Sequence, residues 1–313
     1  MSKSKTATSS KARLVFFGTE DFSAAALKRL LANDYDLAAV ITKPAAPSGR
    51  GQKLQEPVVA ELVEKAKIKV FQPSKVAEIN DQIANLKPTH GVLSAYGKIL
   101  PESTLDLFPD GIINIHPSLL PKYRGPAPIE AAILNDDKQT GISLMQLTAG
   151  MDEGPIYAQK TVEMPPNTDR IELTHWLAEV GAVFLMENLP SILDGTLSPS
   201  PQNSDDATYT KLLKKEDGLI DFKEPAEIIE RKVRTYAGWP KTRAKLHGHE
   251  VVITKSRVAT DLTDGGLVIK CRPGYLEIAE LIAPSGKTMS GKDFLLGHPP
   301  RHPEPDSGSI QRK

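Results

Sequence analysis

The chain has 313 residues, no formal net charge, 40% apolar and 25% charged residues, and one cysteine, Cys271. That length favours two domains that each bury a core. A single cysteine excludes an internal disulfide framework and a multi-cysteine zinc site, which fits a cytoplasmic location, and no uninterrupted apolar run reaches the roughly 18–20 residues of a membrane span.

Residues 1–12 carry Lys and Ser but no apolar core, so they are expected to form a flexible tail. From Arg13 onward, RLVFFGT (13–19) predicts a buried strand running into a Gly turn, and FSAAALKRLLA (22–32) a helix with a Leu/Ala face. LAAVIT and KVF read as strands, VAEINDQIANL as a helix, HGVLSA and GIINIH as strands, APIEAAIL as a helix and GISLMQL as a strand; a longer helix is expected over 168–194. Apolar strands alternating with helices predict an α/β domain with a mostly parallel sheet, over 13–197.

The stretch from 195 to 208, GTLSPSPQNSDDAT, has no apolar period, which places a linker at 198–208. A helix over EPAEIIERKVRTY and short strands joined by Gly turns then predict a small antiparallel β-barrel at 209–298, with a second tail at 299–313. From Tyr209 to Lys313 there are 19 Lys and Arg against 14 Asp and Glu, a balance of +5 that leaves −5 in the rest. The asymmetry points to an anionic partner for the C-terminal part.

A strand followed by a Gly turn invites a dinucleotide reading, but FFGTEDFSA has one glycine where that fingerprint needs three, and Glu20 and Asp21 stand where a pyrophosphate would lie. In doubly wound sheets ligands bind outside the carboxyl ends of the strands. Asn114 and His116, two apart in GIINIH, share one face of a strand at that edge, and the turn TAGMDEG brings Asp152 to the same rim. An amide donor, an imidazole and a carboxylate would thus converge. Each alone is more often a structural residue than a catalytic one. The histidines are dispersed apart from His247/His249 and His298/His302, with no cysteine beside either pair, and no metal is expected.

NIHPSLLPKYRGPAPIEAAI followed by TGISLMQLTAGMDEGPI resembles the 10-formyltetrahydrofolate-dependent formyltransferases, whose signature joins Asn-x-His to a Ser-Leu-Leu-Pro loop and a later Gly-x-Asp turn. VFFGTEDFS, KPAAPSGRGQKLQEP, LSAYGKILP, KEDGLIDF and MSGKDFLLGH are similar to members of that family whose acceptor is initiator methionyl-tRNA, so the likeness runs from Arg13 to His298. It implies a Rossmann-like catalytic domain and an OB-like second domain. Asn114, His116 and Asp152 would be catalytic, and Ser118, Leu119, Leu120 and Pro121 part of the folate pocket. The family turn Asp-Thr-Gly is Asp152-Glu153-Gly154 here, and Glu20 replaces a common Pro.

The resemblance makes 10-formyltetrahydrofolate the formyl donor and initiator tRNA the partner of a monomeric enzyme. RKVRTYAGWPKTRAKLHGH (231–249) holds six Lys or Arg, two Tyr or Trp residues and no acid, and offers Arg234, Lys241, Arg243 and Lys245 to phosphates. KPAAPSGRGQK (43–53) offers Lys43, Arg50 and Lys53, read either as a surface connector or as an insertion that reaches the acceptor stem. Transfer to a small acceptor such as an amino sugar, or to water, is the alternative, against which both basic segments argue.

Overall fold

A computed structural model describes residues 12–48, 53–64, 66–262 and 266–299. The two expected tails, apart from Ala12 and Pro299, lie outside the described residues, as does Arg50. In chain order the first elements are β1 (Arg13–Gly18), α1 (Asp21–Ala32), β2 (Asp36–Ile41), β3 (Ala46–Ser48), β4 (Lys53–Gln55), α2 (Val58–Glu64), β5 (Lys69–Phe71) and α3 (Asn80–Leu86). There follow β6 (His90–Ser94), α4 (Glu102–Leu105), β7 (Ile112–His116), α5 (Pro128–Leu134), β8 (Gln139–Gln146), β9 (Ile156–Glu163) and α6 (Arg170–Leu193).

The chain divides into two compact units. The first comprises Met1–Pro128, Gln139–Glu163 and Thr174–Thr210; the second comprises Ile129–Lys138, Met164–Leu173 and Lys211–Lys313. The first unit is built on a seven-stranded sheet of order β5-β2-β1-β6-β7-β8-β9. β5, β2, β1, β6 and β7 are parallel, while β8 runs antiparallel to both β7 and β9. The expected mixed α/β architecture with a mostly parallel sheet is therefore present.

Several details differ from the sequence expectations: α2, α4 and the final helix, Gly291–Gly297, form where no helix is expected, and two further differences concern strands. β9 was not anticipated, because IYAQKTVE alternates half-exposed and exposed residues on a sheet edge and never forms an apolar run. Residues 46–48 and 53–55, expected as part of a loop, pair as short antiparallel strands.

The sheet is apolar on both faces, as a covered parallel sheet requires. Val15, Phe17, Ile41, Leu93 and Ile112 form one face of a core with Val76, Ile83, Tyr96, Leu100 and Phe108. On β7 the alternation then matters: Ile112 joins that core, so Asn114 and His116, two and four residues on, point to the same side at the strand's carboxyl end. Ile115 points the other way, where it meets α6 at Gly181; a Cβ there would lie 3.1 Å from the Ile115 side chain. Among the described residues α6 alone is long and apolar enough to cross a membrane by length and composition. Its Leu177, Leu185 and Leu189 are buried, as in the core helix of a domain.

The second unit carries α7 (Ala226–Thr235), β10 (Thr242–Leu246), β11 (His249–Ala259), β12 (Leu267–Lys270), β13 (Tyr275–Ile282), β14 (Thr288–Ser290) and α8 (Gly291–Gly297). Its five strands form an antiparallel sheet of order β10-β11-β13-β12, with β14 also on β13. Ala226, Ile229 and Val233, one stripe of α7, pack with Leu246, Ile253, Leu276, Ile278 and Phe294. Cys271 lies in this core, and burial, then the charge of Glu227, pushes its thiol up to about 11; at neutral pH it stays protonated and unreactive.

Leu144, fully buried on β8, tests this packing: Leu144→Ala is expected to lose about 2–5 kcal/mol of stability. Urea unfolding followed by circular dichroism measures it, and a change under about 1 kcal/mol would count against the assigned core.

Candidate active site

Asn114 and His116 end β7, and both are buried. The chain then turns through Pro117–Gly125, and the rim is completed by the loop between β8 and β9. Asp152 in that loop adopts a left-handed backbone, φ 50°. The conformation is uncommon for a residue with a side chain, and it persists where surrounding contacts enforce it.

The three residues meet. The Asn114 side-chain amide donates to Asp152 Oδ1 at 3.4 Å, the Gly125 backbone N–H donates to Asp152 Oδ2 at 2.8 Å, and His116 Nδ1 stands 3.7 Å from that same oxygen. The last distance is too long for a hydrogen bond, and it leaves the carboxylate oxygen facing the ring nitrogen. His116 Nε2 lies 3.0 Å from the Tyr123 carbonyl oxygen. A carbonyl only accepts, so Nε2 carries the hydrogen and Nδ1 is the nitrogen left to gain and lose a proton beside Asp152.

Gly125 has to be glycine. Its φ is +109°, and a Cβ would fall 2.9 Å from the Thr210 carbonyl oxygen and 2.8 Å from the Thr210 hydroxyl. Only a residue without a side chain brings its N–H to Asp152 under the passing 200–210 segment.

Residues 118–121 are wired into the sheet. The Ser118 hydroxyl donates to the Lys122 carbonyl, and Ser143 on β8 donates to Ser118 O while accepting from the Leu120 amide. Gln159 on β9 donates to Leu120 O at 2.7 Å. Leu120 is buried, and Leu119 and Pro121 are half-buried.

The basic residues fall into two groups. Arg234 donates to Glu230 from two nitrogens, at 2.7 and 3.0 Å, and to the Thr168 carbonyl, so its donors are directed at its own unit. Arg243 donates to the Lys215 carbonyl. Lys241 and Lys245 are exposed, with Lys245 opposite Glu250 in the β10–β11 ladder. In the first unit Lys53 is exposed, whereas the half-buried Lys43 lays its ammonium against Gly97, where a Cβ would come within 2.3 Å of it. No group of three or more His, Cys, Asp or Glu suited to a metal occurs among the described residues.

The sequence comparisons agree on one family. A model described as formyl transferase matches residues 12–189, and one described as formyl transferase, C-terminal domain, matches residues 212–299. The chain belongs to the formyl transferase family. This formyl transferase is 38% identical over 298 residues to the methionyl-tRNA formyltransferase of Trichlorobacter lovleyi, covering 92% of the chain and 94% of the relative. It is 39% identical over 295 residues to the protein of that name from Geobacter metallireducens, covering 91% and 95%.

Among solved structures it is similar to an N-formyltransferase from Helicobacter canadensis in complex with folinic acid and dTDP-3-aminofucose, with a TM-score of 0.66, 20% identity, and coverage of 90% and 96%. A methionyl-tRNA formyltransferase from Clostridium thermocellum gives a TM-score of 0.55 at 16% identity, covering 79% and 94%. At these identities the structural likeness concerns the fold. It supports the α/β unit followed by a separate antiparallel one.

Arg124, Gln202 and the residues around Thr208 also surround this site, and no motif in the sequence marks them. For Gly125→Ala we expect a loss of about 1–3 kcal/mol from the strained backbone, with added cost from the contact with Thr210. An unchanged urea midpoint would show that the 200–210 segment does not press on this turn.

Proposed function

We propose that this formyl transferase moves the formyl group of 10-formyltetrahydrofolate onto the α-amino group of initiator methionyl-tRNA. The observation that carries the chemistry is the tautomer-fixed His116, whose free Nδ1 faces Asp152 beside the Asn114 amide. The acceptor rests on the identity of 38–39% across more than nine-tenths of the chain to relatives named for methionyl-tRNA.

In the reaction the amine nitrogen attacks the formyl carbon, forming the new C–N bond and a tetrahedral intermediate with negative charge on oxygen. The Asn114 NH₂ is the donor for that charge, in the manner of an oxyanion hole. His116 Nδ1 takes the proton that the amine loses and delivers it to folate N10 as the old C–N bond breaks, leaving formylated aminoacyl-tRNA and tetrahydrofolate. Asp152 lowers the cost of the imidazolium, directly or through a water. No metal takes part in this scheme.

The folate would occupy the rim bounded by Ser118–Pro121 and the loops after β6 and β8, in a catalytic domain at 13–197. The linker at 198–208 would lead to an OB-like tRNA-binding domain at 209–298. Phosphate contacts would come from Lys43, Arg50 and Lys53 and from Lys241 and Lys245; Arg234 and Arg243, with partners of their own, would contribute field rather than direct contact. The enzyme is read as a cytoplasmic monomer. Transfer to an amino sugar is the second reading, favoured by the structural likeness to a protein crystallised with dTDP-3-aminofucose.

The deciding experiment incubates the protein with 10-formyltetrahydrofolate and either methionyl initiator tRNA or small amines, dTDP-amino sugars included. Formylated tRNA is the expected product, and turnover of small amines alone would reject the proposal. His116→Ala should lower kcat by about 10²–10⁴-fold while the melting temperature and tRNA affinity hold; undiminished turnover would remove His116 from the mechanism. Lys241→Ala/Lys245→Ala should weaken tRNA binding and flatten its dependence on salt, leaving folate binding intact. An unchanged salt slope would exclude these lysines from the interface.

A further inference from the structure

Arg124 is among the largest fully buried side chains of the protein, 1% exposed, and among the described residues its guanidinium is held by neutral partners. Nε and Nη2 both donate to Gln202 Oε1, at 3.0 and 2.9 Å, and Nη1 donates to the Tyr209 hydroxyl at 3.2 Å. An unneutralised buried charge is costly, so a reason for it should lie in what its partners do. Gln202 uses both hydrogens of its amide nitrogen on the loop that carries Asp152: Nε2 donates to the Asp152 carbonyl at 2.8 Å and to the Gly154 carbonyl at 2.7 Å. Arg124 thereby fixes which way the amide is turned, since only its oxygen can accept from the guanidinium and only its nitrogen can hold the two carbonyls.

The same segment also grips the imidazole's support. The Thr208 hydroxyl accepts from the Tyr123 amide at 2.8 Å, the Thr208 carbonyl accepts from the Arg124 amide at 2.9 Å, and the Arg124 carbonyl accepts from the Thr210 amide at 2.8 Å. Tyr123 is the residue whose carbonyl holds His116 Nε2, and its backbone is left-handed, φ 63°. Asp152, with φ 50°, is left-handed as well. Two strained residues, Tyr123 behind His116 and Asp152 itself, are thus held by one stretch of chain; Ser200 and Ile156 anchor its start with a pair of backbone hydrogen bonds, each 2.8 Å.

We propose that residues 200–210 are a bracket for the active site rather than a passive connector, and that Gln202, oriented by Arg124, is a positioning residue that sets where Asp152 stands relative to His116. The assignment rests on the formyl-transfer reading for its effect on turnover, but the contact itself is independent of that reading. Gln202 touches no reacting atom; it acts through the backbone of residues 152–154.

Two variants separate the clamp from mere neutralisation of Arg124. Gln202→Leu removes both halves of the contact. Gln202→Glu keeps an acceptor for Arg124, improved by charge, but beside a guanidinium it stays ionised and cannot donate to the Asp152 and Gly154 carbonyls. We expect both variants to fold, both to lower kcat by about 10–100-fold, the range expected for displaced catalytic geometry, and both to leave KM for 10-formyltetrahydrofolate and for tRNA within about twofold. Hydrogen–deuterium exchange gives a readout that needs no turnover: amides at 150–154 should exchange at least about tenfold faster in both variants, as local opening becomes easier.

Near-normal kcat and protection in Gln202→Glu would reduce Gln202 to a partner for a buried charge and overturn the proposal, even if Gln202→Leu fails to fold. Inactivity of the unmodified protein toward methionyl-tRNA, with exchange responding as expected, would reject the formyl-transfer reading and leave the bracket standing.

Discussion

A single carboxylate has to stand beside a titratable imidazole without being used up by other partners, and the first unit is arranged around that constraint. Asp152 Oδ2 is shared between the Gly125 N–H and the approach of His116 Nδ1, while Oδ1 receives the long contact from Asn114. A carboxylate with a full set of short donors would have less of its charge left to direct at the ring. One left free would swing into solvent and lose its orientation. One strong backbone donor holds the group and leaves its field directed at the ring.

Sheet geometry supplies the other side of this pair. Because β7 alternates, the residues that bury Ile113 and Ile115 on one face deliver Ile112, Asn114 and His116 to the other. The antiparallel neighbour β8 then braces the loop that follows β7, through Ser143. Core packing and site geometry therefore share the same residues: a register slip on β7 would turn Asn114 and His116 away from Asp152 and bring Ile113 and Ile115 in their place.

Charge in the second unit shows how composition and availability differ. The run from 231 to 249 is basic, yet Arg231 pairs with Asp136, and Arg234 with Glu230 and Thr168. These partners include residues 136 and 168, which precede the linker in sequence and cluster with the second unit. Counting Lys and Arg along the chain registers the field but not the hydrogen bonds that already occupy the donors.

Much of the architecture was legible because it rests on local patterns. Buried parallel strands are short apolar runs, α7 shows its core stripe at i, i+3 and i+7, and Asn114 with His116 declare their shared face by spacing alone. The edge strand β9 escaped because an exposed edge needs no apolar run, and Gln202 escaped because nothing in SPSPQNS marks a glutamine that will hold residues some 50 positions earlier.

Sequence by itself determined the alternating α/β pattern, the family and the identity of the three polar residues at the rim, since period and motif are properties of neighbours along the chain. Tertiary structure decided which imidazole nitrogen is free, which oxygen of Asp152 faces it, which arginines are already engaged and that a connecting segment lies against the site. Each of those depends on directional hydrogen bonds between residues far apart in sequence, and their geometry exists only once the chain has folded.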